Sequence, residues 1–376
     1  LTRAANAGTR PGPRRKPRPK AQPDQIGDFA AARDDMLRIY VRENDSLAPH
    51  DVQVSADPSP DLGADFATPP PASSIVWIDL LNPTPEEDRY IERFVGVSIP
   101  TREEMQEIEV SSRLYSEDGG EFMTIAALAH LDEEPIVTPI TFVLKGATLV
   151  TVRYAEPRPF ATFAARAQRP GATACGNGEQ IMLSLLEALI DRIADVMERV
   201  GGKIDAISRE VFRDANRRES SRARDFRDVL VSIGREGDLL SIVRESLVSM
   251  MRLLTYHTAI SEDAGKRAIK EARQRVRSIQ RDVSSLTDHA TYLSNKITFL
   301  LDATLGLINL EQNQIIKIFS IASVCLMPPT LIASIYGMNF RHMPELEWMA
   351  GYPFALALMM IVGVAPFIYF RRKGWL

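Results

Sequence analysis

The sequence predicts an α+β membrane protein: an N-terminal cytoplasmic α/β domain, a long helical stalk and two C-terminal transmembrane helices. Three observations predict it. Residues 318–335 and 352–370 are two apolar runs without a charged side chain, each close to the roughly 20 residues a helix needs to cross a bilayer. From about Glu179, apolar residues recur at intervals of three and four (Leu186, Leu189, Ile193, Val196, Val200, Ile204, Ile207), the period of a helix with one buried face. Upstream, residues 121–131, 136–145 and 148–154 read as strands, the last two joined by a tight turn at Gly146 and Ala147.

Residues 1–35 are rich in Pro, Arg and Ala. The first twenty hold seven basic residues and no acidic one, so a disordered basic tail is expected, and Leu1 fits an incomplete or alternative beginning. An α/β domain is expected over 36–172. It has a strand near 74–80, then a helix start at Thr84 with Pro85, Glu86 and Glu87 behind it. Thr101, Arg102, Glu103 and Glu104 repeat that signal. Residues 173–312 read as a helical bundle and stalk, with helical stretches from 179, over 225–257 and from about 262. The last meets no strong breaker until Pro328 and Pro329; unbroken to Ile335 it is about 110 Å long at 1.5 Å per residue. Residues 266–281 carry seven basic groups and one acid, which is expected of a solvated or salt-bridged face. The first transmembrane helix is placed at 313–336, an external loop at 337–351, the second helix at 352–370 and a basic tail at 371–376.

Lys317, Arg371, Arg372 and Lys373 flank the two spans on one side, and the loop between them has only Arg341. The basic excess puts both termini in the cytoplasm and the loop outside. The opening residues lack an apolar run of signal-peptide type, so an inner membrane protein with a large cytoplasmic part is expected.

Composition excludes several classes. Lys plus Arg number 45 against 49 for Asp plus Glu, which makes no case for nucleic acid. Cys175 and Cys325 are the two cysteines, without the spacing of a disulfide framework or zinc site. The histidines at 50, 130, 257, 289 and 342 have no ligand spacing, so structural or surface roles are expected of each. Gly176, Asn177 and Gly178 lack the third glycine of a dinucleotide turn. No nucleophile lies beside a base, so no enzyme is indicated.

The first span differs from the second in carrying Ser320, Ser323, Thr330 and Ser334. At 100° per residue these fall within an arc of roughly 80°, with Asn313 and Met327 on or near the same side. Such a stripe faces protein or water rather than lipid. Helix packing and pore lining explain it equally well. Two spans cannot enclose a pore, so pore lining implies an oligomer with first helices inside and second helices outside.

Tyr336, Gly337, Met338 and Asn339 end the first span. Met343, Pro344, Glu345, Leu346, Trp348, Gly351, Tyr352 and Pro353 follow, with Trp375 and Leu376 at the end. Glu311, Gln312 and Asn313 precede it, with Pro328, Pro329 and Thr330 inside it. This string closely resembles the CorA family of magnesium and cobalt transport proteins, in its enterobacterial-type branch. The resemblance implies a funnel-shaped homopentamer in membrane lipid, with no protein partner, no nucleic acid and no organic cofactor. It implies inward flow of Mg²⁺, with Co²⁺ and Ni²⁺ as lesser substrates, driven by membrane potential. Selection falls to a ring of Gly337, Met338 and Asn339. The pore positions become Asn313, Phe319, Met327, Thr330, Ser334, Gly337 and Asn339, and the polar stripe adds Ser320 and Ser323. Phe319 stands about 80° from Met327 on the wheel. Arg341 replaces an acid found in many relatives, leaving Glu345 and Glu347 to attract cations at the mouth. Cytoplasmic Mg²⁺ acts as regulator, its acidic pair matching Glu103 and Glu104. The partner on the long helix is Ser278 by direct counting or Asp282 by a gapped match. The alternatives are a zinc transporter of the ZntB type, against which Met338 argues, and a membrane-anchored sensor or scaffold.

Overall fold

The computed structural model describes residues 36–43, 46–51, 74–130, 135–169, 175–213, 222–261, 268–339, 343–344 and 348–375. The expected tail at 1–35 lies outside them, as do the loop residues Arg341, Glu345 and Glu347. Seven strands form one sheet: β1 (Met36–Glu43), β2 (Ser46–Asp51), β3 (Ile75–Leu81), β4 (Leu114–Glu117), β5 (Gly120–Ala129), β6 (Ile136–Lys145) and β7 (Thr148–Arg153), in the order β2-β1-β3-β7-β6-β5-β4. β3 and β7 pair in parallel, and the other neighbours pair antiparallel. β3 has every residue buried, the mark of a strand covered on both faces. β1, β2 and β4 are additions to the three strands and the 74–80 segment legible in the sequence.

Helix α1 (Pro85–Val95) begins with a capping box. The Thr84 hydroxyl accepts from the Glu87 amide at 3.3 Å, and the Glu87 carboxylate accepts from the Thr84 amide at 2.8 Å. Gly96, at φ 73°, ends it in the left-handed conformation that glycine adopts without strain. The short α2 (Arg102–Met105) repeats the box with Thr101 and Glu104, and α3 (Val110–Arg113) leads into β4. One sheet face buries Leu37, Ile39, Ile78, Leu80, Val150 and Val152 against Ile91, Val97, Ile99 and Met105. On the other, α4 (Arg158–Ala167) sets Phe160 and Phe163 against Trp77, which also stacks on Tyr40 at 4.3 Å.

Three long helices follow: α5 (Gly178–Arg213), α6 (Arg222–Ser261) and α7 (Ala268–Tyr336). α7 continues through Pro328 and Pro329 to Tyr336. α8 (Gly351–Arg372) closes the chain. Gly178 explains the glycines that open this region. Its amide donates to Ala147 at 2.6 Å, and a methyl at its Cα would run into the Leu149 backbone. The glycine lets α5 start against the β6–β7 turn, with Asn177 capping the Gln180 amide at 2.9 Å. Ser249 of α6 donates its hydroxyl to the Ser246 carbonyl and accepts from the Ala126 amide of β5 at 3.0 Å.

The chain divides into two compact units, residues 1–205 with 234–296, and residues 206–233 with 297–376. α5, α6 and α7 contribute to both. In the first unit Arg275 grips Glu187 with both Nε and Nη2, at 2.7 and 2.6 Å, and reaches Ser184 at 2.7 Å. That is the salt-bridged face expected of the basic run. α7 and α8 are the two helices long and apolar enough to cross a membrane among the described residues, and the second unit holds all of α8 and α7 from Ile297 on.

Candidate functional site

α7 presents two faces over its apolar stretch. One is covered: Ile321 is buried, and Cys325, Pro328, Pro329, Ile332 and Tyr336 are partly so. These recur at three and four, as a packed helical stripe does. α8 sets Gly363 against Pro329 and the Cys325 carbonyl on this face, and buries its own Gly351 and Ala355. The other face carries Ser320, Ser323, Thr330 and Ser334, all exposed, together with Asn313 and Met327. At 100° per residue the centres of the two faces lie roughly 180° apart. The polar stripe therefore takes no part in the hairpin contact. Phe319 and Met327 are both about 70% exposed, at 71% and 70%.

Three of the hydroxyls are already committed as donors. Ser323 donates to the Phe319 carbonyl at 2.9 Å, Thr330 to Leu326 at 2.8 Å and Ser334 to Thr330 at 2.9 Å. What each then offers outward is an oxygen lone pair, an acceptor. At the upper end, the Gly337 amide donates to the Ala333 carbonyl at 3.0 Å and Met338 to Ile335 at 3.2 Å. Gly337, Met338 and Asn339 stand exposed just past this last turn, at the negative end of the helix dipole, which favours a cation.

At the opposite end the second unit is basic. Gly374, at φ 71°, turns the chain so that its amide reaches the Arg371 carbonyl and the Trp375 amide reaches that of Phe370, both at 3.1 Å. Trp375 stacks on Phe370 at 5.3 Å and lies under the Lys317 ammonium at 5.7 Å. Aromatic and cationic groups so combined suit a membrane–water interface.

The expected regulatory residues sit in the first unit. Glu103 is exposed, and Glu104 spends one carboxylate oxygen on the Thr101 amide at 2.8 Å. Both stand near Tyr154, whose hydroxyl is pushed up to about 12 by burial and by the Asp88 and Glu103 carboxylates. Asp282 is exposed on α7 and faces Asp191 of α5. Burial, then the Glu187, Asp195 and Asp282 carboxylates, push the Asp191 carboxyl up, against the pull of Arg166. Among the described residues no group of three His, Cys, Asp or Glu side chains is gathered to hold a metal.

His257, for which sequence spacing gave no partner, is buried on α6 between two carboxylates. Its Nδ1 lies 3.3 Å from Glu121 of β5 and its Nε2 3.0 Å from Glu179 of α5. Burial pulls the imidazole down, and the hydrogen bonds to Glu121 and Glu179 outweigh it, raising the pKa from 6.5 to about 9. The folded value exceeds the unfolded one, so the stabilisation is complete below about pH 6.5 and is lost as pH rises through about 9. At 1.36 kcal/mol per unit this is at most about 3 kcal/mol. Amides of β5 and of the first turn of α5 are expected to lose hydrogen-exchange protection between about pH 6.5 and 9.5, beyond the intrinsic rate change. His257→Gln abolishes that pH dependence; if it persists in the variant, the clamp is not its source.

Comparison with known proteins follows the same lines. The family described as CorA-like Mg²⁺ transporter protein matches residues 72–372. The magnesium transport protein CorA of Yersinia pseudotuberculosis is 35% identical over 348 residues, covering 91% of this chain and 100% of that protein. The CorA of Escherichia coli K12 is 34% identical over 342 residues, covering 91% and 100%. Among solved structures, the complete CorA magnesium transporter of Methanocaldococcus jannaschii shares the fold at a TM-score of 0.62 and 18% identity, over 91% of this chain and 99% of that one. With its family pattern matched across both units and its relatives matched end to end, this chain belongs to the CorA family of Mg²⁺ transporter proteins, ion transporters rather than enzymes.

Proposed function

We propose that this chain is one subunit of a homopentamer that admits Mg²⁺ across the inner membrane, with five α7 helices inside and five α8 helices outside. The observation that carries this reading is the polar face of α7, turned away from α8 and ending at Gly337 to Asn339. A face unused within the hairpin has other copies, or the water between them, left to meet.

Mg²⁺ is small, octahedral and slow to shed water. Its bound waters point their hydrogens outward, so a conduit that passes the hydrated ion needs acceptors. Asn339 amide oxygens and Gly337 carbonyls supply them at the mouth. Below, the outward lone pairs of Thr330, Ser334, Ser323 and Ser320, and the Asn313 amide, repeat the contact. Met327 forms an apolar ring between them, flanked by Phe319, that closes the path by dewetting. Met338 orients the mouth turn, and Glu345 and Glu347 attract cations there. No Asp, Glu, His, Lys or Arg lies between Ile318 and Ile335, so no proton relay runs through the span. A dication crossing 100 mV gains about 4.6 kcal/mol, enough to drive influx. Lys317, Arg371, Arg372 and Lys373 keep both termini cytoplasmic. Co²⁺ and Ni²⁺ pass less readily.

Uptake of Mg²⁺ against Zn²⁺ into liposomes, with and without a pH gradient, tests the reading. Potential-driven Mg²⁺ entry is expected. Zn²⁺ entry coupled to protons would mark a zinc transporter instead, and no flux at all a scaffold.

Cytoplasmic Mg²⁺ bound between copies, at Glu103 and Asp282, is proposed to close the path. Glu104 spends one carboxylate oxygen on its capping box. Glu104→Ala is therefore expected to cost about 1 kcal/mol of stability without changing how internal Mg²⁺ inhibits uptake. Glu103→Ala should do the reverse. Equal effects of the two on inhibition would return Glu104 to the regulatory set.

A further inference from the structure

The packing behind the polar face points to one residue of α8, and this step rests on the ion pathway proposed above. Pro328 and Pro329 have no amide hydrogen, so the carbonyls of Val324 and Cys325 lose the donors that would close their helical hydrogen bonds. α7 is least braced at this level, directly beside Met327 and Thr330. Something outside the helix has to hold it there.

Gly363 stands at that point. A methyl at its Cα would lie 3.2 Å from Pro329 Cγ and 3.4 Å from the Cys325 carbonyl oxygen. Both the ring that breaks the ladder and a carbonyl released by the break thus bear on one residue of α8. Glycine in the interior of an apolar helix is a poor helix former and calls for a packing reason; here the reason is the space it leaves. Pro329 lies on the covered face, roughly 160° round the helix from Met327. A push from α8 at this point therefore carries Met327 toward the axis.

We propose that Gly363 is a positioning residue for ion passage: its bare backbone lets the Pro328–Pro329 break seat against α8, and so sets how far the Met327 and Thr330 rings stand from the axis. It touches no ion.

The test uses the full chain in liposomes, with oligomeric size checked in detergent. Gly363→Ala is expected to lower the maximal rate of Mg²⁺ uptake about fivefold, the low end of what overpacking by one methyl costs. Half-saturation should stay unchanged, because the mouth at Gly337 to Asn339 is untouched, and the oligomer should stay intact. Gly363→Val should lower the rate further. In a Pro329→Ala background, which removes Cγ and restores an amide for Cys325, adding Gly363→Ala should cost nothing more. An undiminished rate in Gly363→Ala overturns the proposal. So does an equal loss in the Pro329→Ala background, or a loss that comes with breakdown of the oligomer. Absence of Mg²⁺ uptake by the unaltered protein would instead overturn the pathway itself, so the two failures are distinguishable.

Discussion

Asn339→Ala is expected to abolish Mg²⁺ uptake into liposomes while the oligomer remains intact. Asn339 follows the last turn of α7, exposed and outside the packed face that meets α8. Truncating it should leave the hairpin undisturbed. On the proposed pathway, what is lost is an acceptor that holds the water shell of the entering ion, once in every subunit. At about 0.5–1.5 kcal/mol per hydrogen bond, five such losses in the proposed pentamer slow entry by about two orders of magnitude or more. Asn339→Asp is a useful companion, because it keeps the acceptors and adds charge. It should retain entry but hold the ion longer. Normal uptake by Asn339→Ala, with size unchanged, would remove the mouth ring from the mechanism.

The second large effect lies in the sheet. Asp79→Ala is expected to destabilise the first unit by about 3–5 kcal/mol. Asp79 and Arg153 are almost fully buried, at 2% and 1% exposure, on the central parallel pair β3 and β7. The guanidinium donates from Nε to Oδ1 at 3.0 Å and from Nη2 to Oδ2 at 2.8 Å. A third donor reaches the Ala155 carbonyl at 3.1 Å, and the Phe160 ring lies 4.9 Å beneath. Asp79 also accepts from the Thr151 hydroxyl at 2.7 Å, which itself accepts from the Trp77 indole at 2.9 Å. Burial pulls the Arg153 pKa down, and the Asp79 carboxylate more than restores it. Removing the acid strands a buried cation. Replacing both partners, as Asp79→Leu with Arg153→Met, should recover most of the loss, since no charge is then left unpaired. Hydrogen exchange at β3 and β7 reads both variants. A single-variant cost below about 1 kcal/mol would mean that water reaches the pair.

Local signals were the legible ones. The boxes at Thr84 and Thr101 each join residues three positions apart, so the sequence reads them without any knowledge of the fold. The long helices and the two spans follow from composition and period alone. β1, β2 and β4 did not stand out, although β2 and β4 each pair with the strand next to them in sequence, because β4 is only four residues long and β2 contains Pro49, which suits a sheet edge. The Asp79–Arg153 and His257–Glu121–Glu179 contacts join residues 74, 136 and 78 positions apart. No spacing rule connects such residues; only strand order and helix packing do. Glu104 shows the opposite case. Its capping duty was readable, and the structure shows one of its carboxylate oxygens in that role.

By itself the sequence determined the membrane hairpin, the angle of the Ser and Thr stripe on α7 and the loop signature that carries the family resemblance. All three are fixed by composition, period and order along one stretch of chain. Which face of α7 meets α8 was not among them, because a helical wheel gives the direction of a side chain and not its neighbour. The tertiary structure decided that, seating Gly363 of α8 against the proline side of α7. Close approach requires small residues on one helix and a matching surface on the other, and that complementarity exists only once the two are folded together.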